Sequence, residues 1–388
     1  MPGDKSVILR DELRNAYKGQ TVLVTGHTGF KGSWLSEWLL LLGARVVGIA
    51  LPPSTDPALF NQLRLADRME HHLQDIRDRE AFSRLVLEIR PDYVFHLAAQ
   101  PLVRASYDEP VETYSTNVMG TVHLLEALRL LQMRYRNDGK QVCAAVMITT
   151  DKCYANREWL YGYREEDPLG GYDPYSSSKA CAELAIASFR QSFFNTQQSA
   201  TLPKVGLASA RAGNVIGGGD WALDRILPDC IRNLRCKAPI VVRNPTATRP
   251  WQHVLEPLCG YLQLGMRQRG ALISQDRDAL DRYCSAYNFG PALTSNRPVE
   301  ILVREVLKHW PGRCDNQAEA HAHHEAGKLN LGWDKAFHLL NWQPIWAFDE
   351  TIARTVRWYR QQGELNVDAQ TLTASDIEAY ERHAVHIV

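Results

Sequence analysis

Thr21-Val22-Leu23-Val24, running without a break into Thr25-Gly26-His27-Thr28-Gly29-Phe30-Lys31-Gly32, is the stretch on which the reading of this chain turns. The first four residues are compact and mostly β-branched, the composition of a short buried strand. After the glycines, Trp34, Leu35, Trp38, Leu39 and Leu42 recur at helical spacing and Gly43 closes the run, so a helix is expected. Arg45 to Ala50 reads as a second buried strand. Strand, glycine loop, helix, strand is the opening half of a Rossmann-type dinucleotide-binding fold. Glycines spaced G-x-x-G-x-x-G let backbone N–H groups approach a pyrophosphate at the positive end of the helix. Gly26, Gly29, Phe30, Lys31 and Gly32 are therefore candidate cofactor contacts. A glycine triplet alone occurs often by chance; its place between strand and helix gives it weight.

The alternation continues downstream. Leu73-Gln74-Asp75-Ile76 is expected to end a third strand, and Glu80 to Ile89 suits a helix. Tyr93 to Leu97 forms a fourth strand running into Ala98-Ala99-Gln100, whose small residues would let the backbone lie against a nucleotide. His96, inside that apolar strand, reads as a satisfied core histidine. Asn117 is expected to open a long amphipathic helix, Ala144 to Ile148 to form a fifth strand and Val205 to Ala210 a sixth. Strands alternating with helices imply an α/β fold with a doubly wound parallel sheet. Ligands on such sheets sit at the carboxyl ends of the strands. The glycine loop, Ala98-Ala99-Gln100 and Thr149-Thr150-Asp151-Lys152 all follow strands, so they are expected to converge. NAD is the expected cofactor, although Ile49-Ala50-Leu51-Pro52-Pro53 offers neither an acid for a ribose nor an arginine for a 2′-phosphate. Lys31 or His27 could neutralise such a phosphate.

Tyr175-Ser176-Ser177-Ser178-Lys179 sets a tyrosine and a lysine on one helix face, with Pro174 suited to the first turn and Ala180 to Phe193 continuing the helix. An ammonium beside a phenol favours phenolate, which draws the tyrosine toward a working pKa for proton transfer. Two solvated helix residues would explain a lone Y-x-x-x-K; the glycine loop and the Thr149–Lys152 cluster in front of it argue for a site. Past Arg211 comes a glycine-rich loop, Gly213 to Trp221, then proline-punctuated segments with Arg225, Arg249, Trp251 and His253 interleaved. This suggests a smaller lobe that closes over the site and holds an anionic substrate. The expected organisation is a cofactor domain over 1–210 and a substrate lobe over 211–388, with segments of the latter able to return to the first. Trp342 to Tyr359 reads as a closing helix after Pro344, the tail beyond it as polar, and residues 1–19 as a polar lead-in with room for a short helix.

Composition excludes several classes. Lys+Arg and Asp+Glu stand at 44 each, so no broad basic field invites nucleic acid. No stretch of about 18 apolar residues suggests a membrane span, and the polar start does not read as a signal peptide. Eight cysteines without a C-x-x-C pair fit reduced thiols in the cytoplasm. His321, His323 and His324 lie in a polar stretch read as a solvated loop, and no metal is expected.

With these residues in view, the chain resembles the extended short-chain dehydrogenase/reductases, and within them most the CDP-D-glucose 4,6-dehydratases. The resemblance runs from about residue 13 to 360 and is carried by T-G-H-T-G-F-K-G-S-W-L at 25–35, H-L-A-A-Q-P-L-V-R at 96–104, T-T-D-K-C-Y at 149–154 and R-A-G-N-V-I-G-G-G-D-W at 211–221. It implies internal redox dehydration of CDP-glucose to CDP-4-keto-6-deoxyglucose, feeding dideoxysugar (O-antigen) synthesis, with NAD regenerated each turnover. By resemblance Tyr175 takes the 4-hydroxyl proton, Lys179 lowers the tyrosine's pKa and holds the nicotinamide ribose, and Thr150 bonds the 4-hydroxyl. Asp151 protonates the departing 6-hydroxyl. Lys152 departs from the related dTDP-glucose dehydratases, which carry glutamate there; it is either a neutral carbon-5 base or a charged stabiliser of the enolate. The resemblance also implies that Asn214, Arg225, Arg249 and Asn288 hold the sugar-nucleotide diphosphate. Asp75 and Ile76 would hold the adenine, and Leu97, Ala98, Ala99 and Gln100 would line the cofactor. A homodimer pairing through helices that include the tyrosine helix is implied, with a tetramer open. A 4-epimerase would share Tyr175, Lys179 and the glycine loop but needs no acid for a 6-hydroxyl, and a nucleotide sensor would bind NAD without turnover. Asp151-Lys152 favours the dehydratase.

Overall fold

Seven strands carry the fold of the computed structural model, which describes residues 6–139, 141–196, 201–242, 244–316 and 328–384. They are β1 (Thr21–Thr25), β2 (Arg45–Ala50), β3 (Glu70–Leu73), β4 (Tyr93–His96), β5 (Cys143–Ile148), β6 (Val205–Ala212) and β7 (Ala286–Phe289). Their spatial order is β7-β6-β5-β4-β1-β2-β3 and every neighbouring pair is parallel. This is the doubly wound arrangement that the alternation implied. Its switch point falls between β1 and β4, where a crevice opens at the strands' carboxyl ends.

Strand alternation explains how one sheet feeds two cores. Val22 and Val24 of β1, Tyr93 and Phe95 of β4, and Ala144 and Val146 of β5 face one cluster with Trp34, Trp38 and Leu39. Leu23, Val94, Ala145 and Met147 face the other, with Phe82, Leu124, Leu128 and Ile186. Burying each large apolar side chain contributes about 1.5–3 kcal/mol, so neither face can be turned to water.

Four segments differ from the sequence reading, each for a local reason. The third strand stops at Leu73, and Gln74 to Ile76 run on over the crevice. Asn117 does not open its helix: Pro110 starts it, and Asn117 sits inside a π-turn, Ser115–Met119, that joins Pro110–Tyr114 to Gly120–Asp138. Such single π-turns insert a residue into an otherwise α-helical ladder. The closing helix is Phe348–Glu364; Trp342 stays in a loop because the Glu256 carboxylate accepts the N–H groups of Ile345 and Trp346. The tail is not a bare polar end. Asp368 caps a further helix, Ala369–His383, which buries Leu372, Ile377 and Tyr380. It packs on the helix Ser6–Tyr17, and Glu381 accepts from Trp38 Nε1 at 2.8 Å. His321, His323 and His324 lie outside the described residues.

Candidate active site

A cavity of about 1700 Å³ opens over the carboxyl ends of the strands. Its cofactor end is backbone. Gly26 has φ +74°, which a side chain resists, and an added Cβ would stand 2.7 Å from the Ala98 amide nitrogen. At Gly32 an added Cβ would meet the Gly26 carbonyl oxygen at 2.2 Å, so strand end and helix touch only because both positions are glycine. Gly29 is the N-cap of the helix Phe30–Leu41 and offers no side-chain cap, leaving the first helical turn to line the cavity. Leu97, Ala98 and Ala99 form the opposite wall, with Asp75 and Ile76 further along it. These surfaces fit a dinucleotide: a glycine cradle at a helix N-terminus for a pyrophosphate, and small residues for flat rings.

The second end is built from side chains. Thr150 caps a short turn, Asp151–Cys153, placed by the end of β5. Its hydroxyl donates to Asp151 Oδ1 at 3.0 Å, and Lys152 Nζ donates to the same oxygen at 3.3 Å and to Asn214 Oδ1 at 3.1 Å. Asp173 caps the helix Pro174–Phe193 by accepting from Ser176 N and Oγ, which fixes the first turn bearing Tyr175. Thr150, Lys152, Tyr175, Lys179, Asn214, Arg225 and Arg249 all line the cavity; Asp151, at 2% exposure, lies just behind its wall. Arg225 is held by Asp220 at 2.8 Å.

The sequence profile of the GDP-mannose 4,6 dehydratase family matches residues 23–277. The CDP-glucose 4,6-dehydratase of Salmonella typhimurium is 49% identical over 350 residues, 89% of this chain and 92% of that protein. The chain belongs to this family of nucleotide-sugar 4,6-dehydratases. It is an enzyme of the hydro-lyase class. Among solved structures, an epimerase of Methanothermobacter thermautotrophicus is 24% identical with a TM-score of 0.72, covering 92% of this chain and 97% of that one. The dTDP-glucose 4,6-dehydratase of Bacillus anthracis, in complex with NAD, is 21% identical with a TM-score of 0.68, over 89% and 98%. At these identities the two speak for the fold.

Electrostatics in the dehydratase's cavity differ from the simple phenol–ammonium picture. Burial pushes Tyr175 up to about 12, against a lowering by the Thr150 hydrogen bond and the Arg225 charge. Burial likewise pulls Lys179 down to about 8. Lys179 therefore does not by itself bring the phenol into a working range; desolvation outweighs it. Lys31, pulled down to about 7 by burial and by its neighbours Lys179 and Arg225, donates to Tyr261 Oη at 2.9 Å. His27 is fully buried against His71 and driven down to about 3 chiefly by burial, so it holds no charge for a 2′-phosphate. His96 is satisfied by Thr25 at 2.7 Å, as its strand position implied.

Two expected contacts of the dehydratase lie off the cavity. Asn288 is fully buried in β7, accepting from Tyr154 Oη and donating to the Tyr163 carbonyl, both at 2.8 Å. Gln100 donates its amide to Thr113 Oγ1 in the helix Pro110–Tyr114 and to the Leu102 carbonyl. Three residues passed over in the sequence matter to the layout. Asn117 donates to the Gln100 carbonyl and to Ser178 Oγ, tying a cofactor wall to the tyrosine helix. Glu183 and Arg211 pair beneath the threonine loop at 2.8 Å. Glu183 had a signal, since it follows Lys179 by one helical turn; Asn117 in its π-turn had none.

Proposed function

We propose that this dehydratase converts CDP-glucose to CDP-4-keto-6-deoxyglucose, with NAD in the glycine cradle. The observation that carries the reading is that Thr150 and Lys152, both bonded to Asp151 just behind the wall, line the same cavity as Tyr175 and Lys179. Close identity to a CDP-glucose enzyme over nearly all of both chains supports the base and the sugar.

Gly26, Gly29, Phe30, Lys31 and Gly32 would receive the pyrophosphate, Asp75 and Ile76 the adenine side, and Ala98 and Ala99 the nearer rings. Bound NAD supplies a hydride acceptor, returned to its starting state each turnover, and a pyridinium charge beside the phenol. Tyr175, as phenolate, takes the proton of the sugar's 4-hydroxyl, which Thr150 orients. Positive charge from Lys179 and Arg225 favours that phenolate against its burial. The resulting 4-ketone acidifies the hydrogen at carbon 5. Lys152 Nζ and Asp151 Oδ1 are in contact at 3.3 Å, and the elimination is proposed to run with the first as amine and the second as carboxylic acid. The amine then takes the carbon-5 proton while the acid gives its proton to the leaving 6-hydroxyl. Water departs, leaving Lys152 as ammonium and Asp151 as carboxylate. As the hydride removed from carbon 4 is returned to carbon 6, carbon 5 takes up one proton and Tyr175 gives up the one it accepted, so that the net loss from the sugar is one water. Asn214, which also holds Lys152, together with Arg225 and Arg249, supplies the diphosphate side from the segment 211–388.

The proposal includes a cytoplasmic homodimer. Leu184, Met133 and Val111 are more than half exposed on the helices that would pair. No described helix is long and apolar enough to cross a membrane, and all eight cysteines are free. Light scattering reads the stoichiometry, a tetramer being the other outcome. The function is tested by incubating the protein with NAD and, separately, CDP-, dTDP-, GDP- and UDP-hexoses, reading products by NMR. A carbon-6 methyl beside a hydrated 4-ketone from CDP-glucose alone is the expected result. A methyl from another nucleotide overturns the substrate, and an inverted carbon 4 without a methyl overturns the reaction.

A further inference from the structure

Beneath the threonine loop lies a buried charge pair, neither member of which lines the cavity. Glu183, at 1% exposure, accepts from Thr149 Oγ1, from Ser209 Oγ at 2.8 Å and from Arg211 Nη2 at 2.8 Å. Arg211, at 4%, passes the connection on, donating to Tyr154 Oη at 2.8 Å and to the Glu165 carbonyl at 2.9 Å. Three elements meet in this carboxylate: the end of β5 through Thr149, the tyrosine helix through Glu183 itself, and β6 through Ser209 and Arg211. Burial opposes its ionisation, but Arg211 and the two hydroxyls outweigh that and hold it below the usual carboxylate range. A buried ion pair is often no more stabilising than apolar residues of the same size, so core stability does not explain one here.

We propose that Glu183, backed by Arg211, is a positioning residue of the reaction: it pins Thr149, and with it Thr150 and Asp151, against the tyrosine helix and sets a carboxylate one helical turn from Lys179. Lys179 sits one helical turn before Glu183 and is itself 6% exposed. The groups around it come from four directions. Glu183 and Tyr175 share its helix, Cys153 lies in the turn after β5, His96 ends β4, and Lys31 begins the glycine-loop helix. After burial, which lowers Lys179, Glu183 is the largest of the influences that raise it. Cys153 is held well above the thiol range by burial and stays neutral; His96, at about 3, is neutral as well. Lys31 is itself lowered, by burial and then by the Lys179 charge. Glu183 is therefore the anion on which the Lys179 ammonium depends.

The inference rests on the catalytic reading of Lys179 and Thr150, and its test does not. The amine of Lys179 is titrated by competitive labelling with acetic anhydride from neutral to alkaline pH, read by peptide mass spectrometry, with no turnover required. In the double variant Glu183→Gln/Arg211→Met neither charge is left buried alone. Its labelling midpoint is expected to fall by up to about one pH unit, because the lost anion sits one helical turn from Lys179 on its own helix while the cation lost with it lies on β6. Thr149→Val, which loosens the loop and keeps the charge, is expected to leave the midpoint in place. Both variants are expected to lose up to about a hundredfold in kcat with little change in KM. An unmoved midpoint in the double variant overturns the inference; so does full kcat in Thr149→Val. If circular dichroism finds the double variant unfolded, Glu183→Gln/Arg211→Gln, which keeps hydrogen-bonding groups at both positions and likewise leaves no charge buried alone, gives the labelling comparison. A parent protein that dehydrates no nucleotide-hexose would sink the proposed function, while the midpoint would still decide the role of Glu183.

Discussion

The two ends of the cavity are made of different material. At the cofactor end the wall is main chain, brought close because Gly26 and Gly32 lack a Cβ and Ala98 barely has more. At the chemical end it is side chains, each held by partners from other elements: Asp151 and Asn214 on Lys152, Thr149 and Arg211 on Glu183. The first kind of wall is damaged by an added atom, the second by a lost charge. Shape and electrostatics can therefore be broken separately in one enzyme.

The largest effect is expected at the chemical end. Tyr175→Phe should lower kcat/KM by about 10²–10⁴-fold, the usual range for losing a positioned acid–base group, while NAD affinity by fluorescence titration stays near the parent's. A matched loss of NAD binding would mean that the two ends are not separable. Next comes Lys152. Lys152→Met should cost about 10²-fold in kcat, and Lys152→Arg should not restore it, because a guanidinium cannot become a neutral base. Recovery in Lys152→Arg would instead assign the lysine to charge stabilisation. At the cofactor end Gly32→Ala should cost about 1–3 kcal/mol in urea unfolding, as overpacking does, and abolish measurable NAD binding. Unchanged binding would contradict the close approach at 2.2 Å.

The smallest effect is a pH dependence of stability. His27, His96 and His253 are each pushed down to about 3, chiefly by burial. A base with a depressed folded-state pKa binds fewer protons folded than unfolded. Its contribution is whole above about pH 6.5 and is lost at up to ~1.4 kcal/mol per pH unit as pH falls toward 3. Glu256, pushed up to about 7 chiefly by burial, works the other way, adding stability as pH falls from 7 toward 4.5. Unfolding free energies taken at descending pH should fall below pH 6.5. His27 belongs to the glycine loop and His96 bonds Thr25 at its start, so NAD affinity should weaken over the same range.

Legibility in the sequence followed the same division. The glycine loop, β1, β2, β5 and the tyrosine helix were readable because their signals are local: β-branched runs, helical spacing, glycine where a backbone must pass close. The convergence of three loops followed from parallel topology alone. What escaped depended on residues distant in the chain. Asn288 is consumed by Tyr154 and Tyr163, and no spacing rule links those three. The Tyr175 phenol is governed by desolvation, which is a property of the assembled core and not of Y-x-x-x-K. The tail helix was missed because its apolar positions Leu372, Ile377 and Tyr380 acquire meaning only against the helices Ser6–Tyr17 and Phe30–Leu41.

The late arrival of β7 also has a cost during synthesis. β6 is buried along its whole length, and one of its edges is covered by Ala286–Phe289, far downstream. At roughly 5–20 residues per second, the ribosome leaves that edge of β6 open for on the order of ten seconds after the strand is made. An unpaired apolar edge of that kind invites pairing with another nascent chain. Expression at lower temperature or with a holdase chaperone should therefore raise the soluble yield of this protein more than that of a sheet completed in chain order.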